Sequence, residues 1–218
     1  MAYARRAQTL FLMLLLAGCL SATVGGQFLA GRRGLLVGDP ESALAYLSAV
    51  ADQNPNYVNV IENYRESVWT YLGRAQYETK RYAEARKSLE RAMATDAEPS
   101  MAKLYLGLTF LRTGDAAQGV KEVEAGMKGL YDWIEYMNRS RPFQAYWDPT
   151  YQIRKTIDQS LATIGGKDSN LENLMADGEW VGKKFEEELD KVRDDERRQL
   201  QRDFDRRSGG SFGFGIGF

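Results

Sequence analysis

One pattern recurs three times between Gly31 and Gly126, and it limits what the chain can fold into more than anything else in it. A small pair or its remnant (Ala30-Gly31, Leu72-Gly73, Leu106-Gly107) is followed seven residues later by Gly38, Lys80 and Gly114. Five residues further on stand Ala43, Ala85 and Gly119, then Leu47, Leu89 and Val123, then Val50, Ala92 and Gly126. The copies are offset by 42 residues and then by 34, and 34 residues is the length of a helix-turn-helix unit.

Two antiparallel helices approach closely only where facing side chains are small, so glycine and alanine mark the crossing while leucine or valine fills the layer beside it. Gly38-Asp39 and Gly114-Asp115 suit the turn inside a pair, because glycine accepts a left-handed backbone and aspartate caps the next helix. Pro55 and Pro99 close the second helix of a pair. Trp69, Leu72, Gly73, Ala85 and Ala92, with Leu89 in place of an aromatic residue, make the middle copy resemble the tetratricopeptide repeat (TPR). Gln76 stands where that pattern has tyrosine, with Tyr77 one place on, and Gly119 and Gly126 replace alanines in the third copy. The resemblance implies an all-α fold: a TPR-like repeat stack over 27–137 with a C-terminal capping region and a long charged helix. It also implies a concave surface lined by the first helix of each pair. Matching positions put Arg74, Tyr77, Leu104, Leu108 and Leu111 on that lining, as a surface for a partner protein.

At the N-terminus, Arg5 and Arg6 precede the apolar run from Leu10 to Leu16, then Ala17-Gly18-Cys19. A short apolar run behind positive charge reads as an export signal over 1–18, since a membrane span needs about 20 residues. Leu16-Ala17-Gly18-Cys19 resembles the bacterial lipobox, in which cleavage before the cysteine leaves it to be acylated; an ordinary cleavage site is the alternative. Cys19 is the only cysteine of the chain, so no internal disulfide can form. The resemblance implies a lipoprotein of the bacterial cell envelope facing the periplasm. Leu20, in place of the aspartate that retains many lipoproteins at the inner membrane, favours the outer one. Residues 19–26 read as lipidated cysteine and tether.

Between the first two copies, the eight extra residues are expected to lengthen one helix running from near Tyr57 toward Thr79. Leu104, Leu106, Leu108, Phe110 and Leu111 leave the third copy apolar on almost every side, so a further layer must cover it. Residues 138–166 are expected to supply that layer, through an aromatic segment and a helix from about Thr150 to Ile164 started by Asp148 and Pro149. Trp133, Tyr136, Tyr146 and Trp147 are either this cap or anchors for a partner, and Trp133 and Trp147 are the candidates kept for binding.

Ser169 and Glu172 have the spacing of a capping box for a helix over 167–207. Its first part carries a stripe (Leu171, Leu174, Trp180 or Val181, Phe185, Leu189, Val192), and from Lys191 only Leu200 and Phe204 interrupt the charges. It reads as a solvated helix with pairs such as Glu187 to Lys191, or as a thin seam for a partner. Residues 208–218 alternate glycine with Phe212, Phe214, Ile216 and Phe218; extended, such a segment is apolar on one face and fits the edge of a partner's sheet, unless it is merely a flexible terminus.

The chain has no histidine, which removes histidine acid-base chemistry and histidine metal sites. No phosphate-binding loop is present; Asp132, Glu135 and Asp148 lie near aromatics that could hold a sugar, but most carboxylates of the chain belong to charged helix faces. We read a non-enzyme with no cofactor, no metal and no small-molecule substrate. Net charge moves from −1 to −3 once residues 1–18 are removed, which gives no basic stripe for nucleic acid. The expected role is a lipid-anchored adaptor for envelope proteins or peptides. The alternative is a structural subunit of an envelope assembly, joined through the long helix and the Phe-Gly tail.

Overall fold

The computed structural model describes residues 23–61, 63–97, 99–140, 147–164 and 170–209, with the side chains at 196 and 207–209 excepted. Three helix pairs carry the repeat: α1 (Val24–Val37) with α2 (Pro40–Gln53), α3 (Val68–Glu78) with α4 (Tyr82–Thr95), and α5 (Ser100–Thr113) with α6 (Ala116–Ser140). Gly38 and Gly114 take the left-handed backbone at φ 80° and 93°. Asp39 and Asp115 accept the backbone N–H of Ser42 and Gln118, so the turn chemistry is as expected. The close approach also repeats. A Cβ at Gly31 would lie 2.6 Å from Leu47 Cγ, at Gly73 2.5 Å from Leu89 Cγ, and at Gly107 2.4 Å from the backbone nitrogen of Val123. The periodic small residues are therefore where each pair crosses, and the fold is a helical repeat stack.

The residues between the first two copies do not extend a helix. They form an antiparallel hairpin, β1 (Val58–Ile61) with β2 (Tyr64–Ser67), before α3 begins. Val58, Val60 and Ile61 are β-branched, and Ile61, Tyr64 and Glu66 share the buried face, a period of two that a helix could not keep. Pro55 follows α2 and its carbonyl accepts the Trp69 indole N–H at 2.7 Å, which ties the hairpin's entry to α3.

Two boundaries also shift. Thr23 caps α1, its hydroxyl accepting the N–H of Gly26, so residues 24–26 of the expected tether are helical. Asp148 does cap α7 (Gln152–Thr163), but from further back: its carboxylate accepts the N–H groups of Ile153 and Arg154, and the helix starts two residues later than expected. The last helix, α8 (Leu171–Gly209), is capped by Asn170, which accepts the N–H groups of Glu172 and Asn173. Ser169, the expected cap, lies outside the described residues.

Among the described residues the layer over α5 is α8 rather than α7. Gly178 and Gly182 let it settle there: a Cβ at the first would meet Leu108 at 3.0 Å, at the second Tyr105 at 2.8 Å. Leu174, Val181, Phe185, Leu189 and Val192 are buried, so the thin stripe is a core face. Among the described residues no helix is long and apolar enough to cross a membrane.

Candidate functional site

The inner face of the stack is built from equivalent positions. The residue after the crossing glycine is Arg32 in the first copy, Arg74 in the second and Leu108 in the third, and all three are buried against α8. Glu186 stands between the two arginines. Its carboxylate accepts Arg32 Nε at 2.9 Å and meets Arg74 Nη1 at 2.9 Å, while its backbone carbonyl accepts Arg32 Nη2 at 3.1 Å. Asp190, one turn on, accepts Arg32 Nη1 at 2.5 Å. Arg74 also lies over the Tyr105 ring, 4.9 Å from its centroid.

Burial opposes charge on Arg32, but the acids around it, Glu186 foremost, more than offset this and its pKa is raised. The opposite holds one layer below. Glu66 on β2 is buried and accepts the Tyr64 hydroxyl at 2.8 Å; burial, then the charge of Glu186, pushes its carboxyl up to about 8, with Arg74 working the other way. A second anchor holds α8 nearer its start. The Tyr77 hydroxyl donates to Glu179 at 2.5 Å, and Arg112 donates both to Glu179 at 2.9 Å and to the Tyr77 oxygen at 3.2 Å.

These contacts correct the expected lining. Arg74, Tyr77, Leu104 and Leu108 do come together on one face, but that face is closed, because α8 of the same chain occupies it. Leu111 is half-buried at the crossing of α5 and α6, facing Gly119. Trp147 is buried and Trp133 half-buried: their rings meet edge-on at 4.5 Å, and both pack with Phe185 of α8. They hold the molecule together rather than project as anchors. Cys19, Phe212, Phe214 and Phe218, with Phe143 and Tyr146, lie outside the described residues.

Two of these carboxylates, Glu135 and Asp148, share one cation. Arg154 donates to Glu135 at 2.5 Å and to Asp148 at 3.2 Å, and Asp148 is also bound to the start of α7. Arg32, Glu186, Glu66 and Arg112 were not picked out from the sequence. For Arg32 the signal existed, since it holds the same place in the first copy that Arg74 holds in the second. Among the described residues no cluster of acidic, histidine or cysteine side chains could hold a metal.

A separate cleft of about 740 Å³ lies between the hairpin, the start of α5 and the second half of α6. Its walls include Val58, Tyr64, Arg65, Lys103, Trp133 and Tyr136. Val58 and Tyr136 are exposed there, and Val60 beside them is half exposed to solvent.

Residues 35–108, from the end of α1 to the middle of α5, match the family model of the tetratricopeptide repeat. No curated protein and no solved structure matches the chain. The chain thus carries a TPR repeat, a module for binding proteins or peptides, and its inner groove is filled by its own α8.

Proposed function

We propose that this protein is a lipid-anchored TPR scaffold of the bacterial cell envelope, held to the membrane through Cys19 and facing the periplasm, with the outer membrane favoured. Its partner contacts lie outside the groove, on the projecting part of α8 and the residues after it. One observation carries this reading: Glu186 of α8 is buried between Arg32 and Arg74. A foreign peptide in the groove would have to displace a helix whose Glu186 carboxylate already pairs with both arginines, and leaving them buried and unpaired costs several kcal/mol. The surface left for recognition includes Leu200 and Phe204, each about two-thirds exposed (70% and 68%) on α8. This favours the assembly subunit over the groove adaptor. No catalytic role is assigned.

The test is cross-linking of the membrane-bound protein in cells, followed by identification of what is recovered with it. The full-length chain should bring down a defined set of envelope proteins, and Cys19→Ala should lose both the membrane fraction and that set. Deleting residues 194–218 should lose the partners while the protein stays at the membrane. Unchanged recovery after that deletion would place recognition on the repeat body instead, and a Cys19→Ala protein that remained membrane-bound would remove the anchor.

A further inference from the structure

The hairpin offers an unpaired strand edge beside the aromatic cleft. The N–H of Val68 donates to the carbonyl of Tyr57 at 2.9 Å, and in the register that pairs Asn59 with Glu66 and Ile61 with Tyr64, hydrogen-bonded positions alternate at 57, 59 and 61. The N–H and C=O groups of Val58 and Val60 therefore point away from β2, and among the described residues no other backbone group pairs with them. Their side chains are exposed on the same face, and Val58 also lines the cleft with Tyr64, Trp133 and Tyr136. A bare edge next to a cleft with aromatic walls is the arrangement that takes up an extended segment with large side chains on alternate residues.

The chain contains such a segment. Phe212, Phe214, Ile216 and Phe218 alternate with glycine, so an added strand would put every large side chain toward the Val58 and Val60 face and leave its other face bare. Its first phenylalanines cannot reach its own cleft. Phe185 packs on Tyr64 and Trp133, two walls of the cleft, at ring distances of 4.8 and 5.6 Å. From Phe185 the helix runs on to Gly209, about 36 Å at 1.5 Å per residue. The chain from Gly209 to Phe218 spans at most about 31 Å when fully extended. Phe212 and Phe214 fall far short of the cleft from which α8 has carried them.

We infer that residues 212–218 of one copy add as a strand to the β1 edge of a second copy, seating phenylalanine side chains in the cleft between the hairpin and α6. The contact is head-to-tail, so repetition closes a ring or extends a filament. It deepens the assembly reading by naming a second copy of this chain as the occupant. It rests on the tail as a joining element and not on Cys19, and recovery of partners from cells tests the anchor and foreign partners separately.

Two differently tagged copies of the full-length chain decide it, both carrying Cys19→Ser so that introduced thiols are the only ones. One copy carries Val60→Cys and the other Phe214→Cys; they are mixed in detergent and oxidised. The disulfide-linked heterodimer should exceed by about tenfold the level formed with Lys87→Cys on the outside of α4, and excess peptide of residues 209–218 should suppress it. A chain with both Val60→Cys and Arg65→Cys, directly opposite in the hairpin, should close internally and shows that strand and oxidant are sound. The inference is overturned if that control closes and no heterodimer forms. It is overturned equally if the peptide fails to compete, or if Val60→Cys and Phe214→Cys link only when placed in one chain.

Discussion

The two halves of α8 look alike in sequence and behave as different objects. Both are charged helices with a thin apolar stripe. In the first half Glu186 reaches Arg32, 154 residues away, and Phe185 is fully buried between Trp133, Trp147 and Tyr64. From Arg193 onward the pairing is local: Arg193 with Asp190, Arg197 with Asp194 and Arg198 with Asp195, each three residues apart on the same helix. Leu200 and Phe204 continue the apolar face with nothing of this chain over them among the described residues. A carboxylate in a helix is thus solvated or structural according to what stands across from it, and the repeat stack supplies arginines across from one half only.

The largest expected contrast is between the two phenylalanines. Phe185→Ala should lower the unfolding free energy by about 3–5 kcal/mol, as removal of a buried aromatic side chain does, whereas Phe204→Ala should stay within about 0.5 kcal/mol. Urea titration of both variants reads the difference, and similar midpoints would erase the contrast between the halves. Next comes charge. Glu186→Ala leaves Arg32 and Arg74 buried without their shared partner and should cost about 3 kcal/mol, while Asp195→Ala should leave the midpoint where it is. If Glu186→Ala is neutral, Arg32 and Arg74 have another way to be satisfied and the account of the groove is wrong.

The third contrast is a pH slope. The Glu66 carboxyl is raised to about 8 in the folded protein, against an ordinary value near 4.5 when unfolded. Between these values the folded state holds a proton that the unfolded chain has released, so stability is full at low pH and is lost as pH rises toward 8. The slope is at most about 1.4 kcal/mol per pH unit. Glu66→Gln should flatten this slope over pH 5–8 in the same titrations, and an unchanged slope would show that the proton sits elsewhere.

The repeat was legible because its cause is local: Gly31, Gly73 and Gly107 each face the leucine or valine sixteen residues on, and that spacing survives in the sequence. The hairpin was missed because the offset of 42 was explained by length alone, although Val58, Asn59 and Val60 already alternate with period two. The groove residues were half legible. Arg74 and Leu108 follow from matching positions in the TPR resemblance, and the place in the first copy equivalent to Arg74 gives Arg32. What no periodicity could give is Glu186, since its role depends on α8 lying back across the stack. Gly178 and Gly182, four residues apart within a helix, are the trace of that packing in the sequence.

The first half of α8 is a built-in occupant of the TPR groove, and amide hydrogen exchange along α8 reads that occupancy out. Residues from Leu174 to Val192 should exchange as slowly as α5, with protection falling steeply beyond about Arg193. Fast exchange along the whole of α8 while α5 stays protected would mean that the groove is open and that the helix does not belong to the folded body.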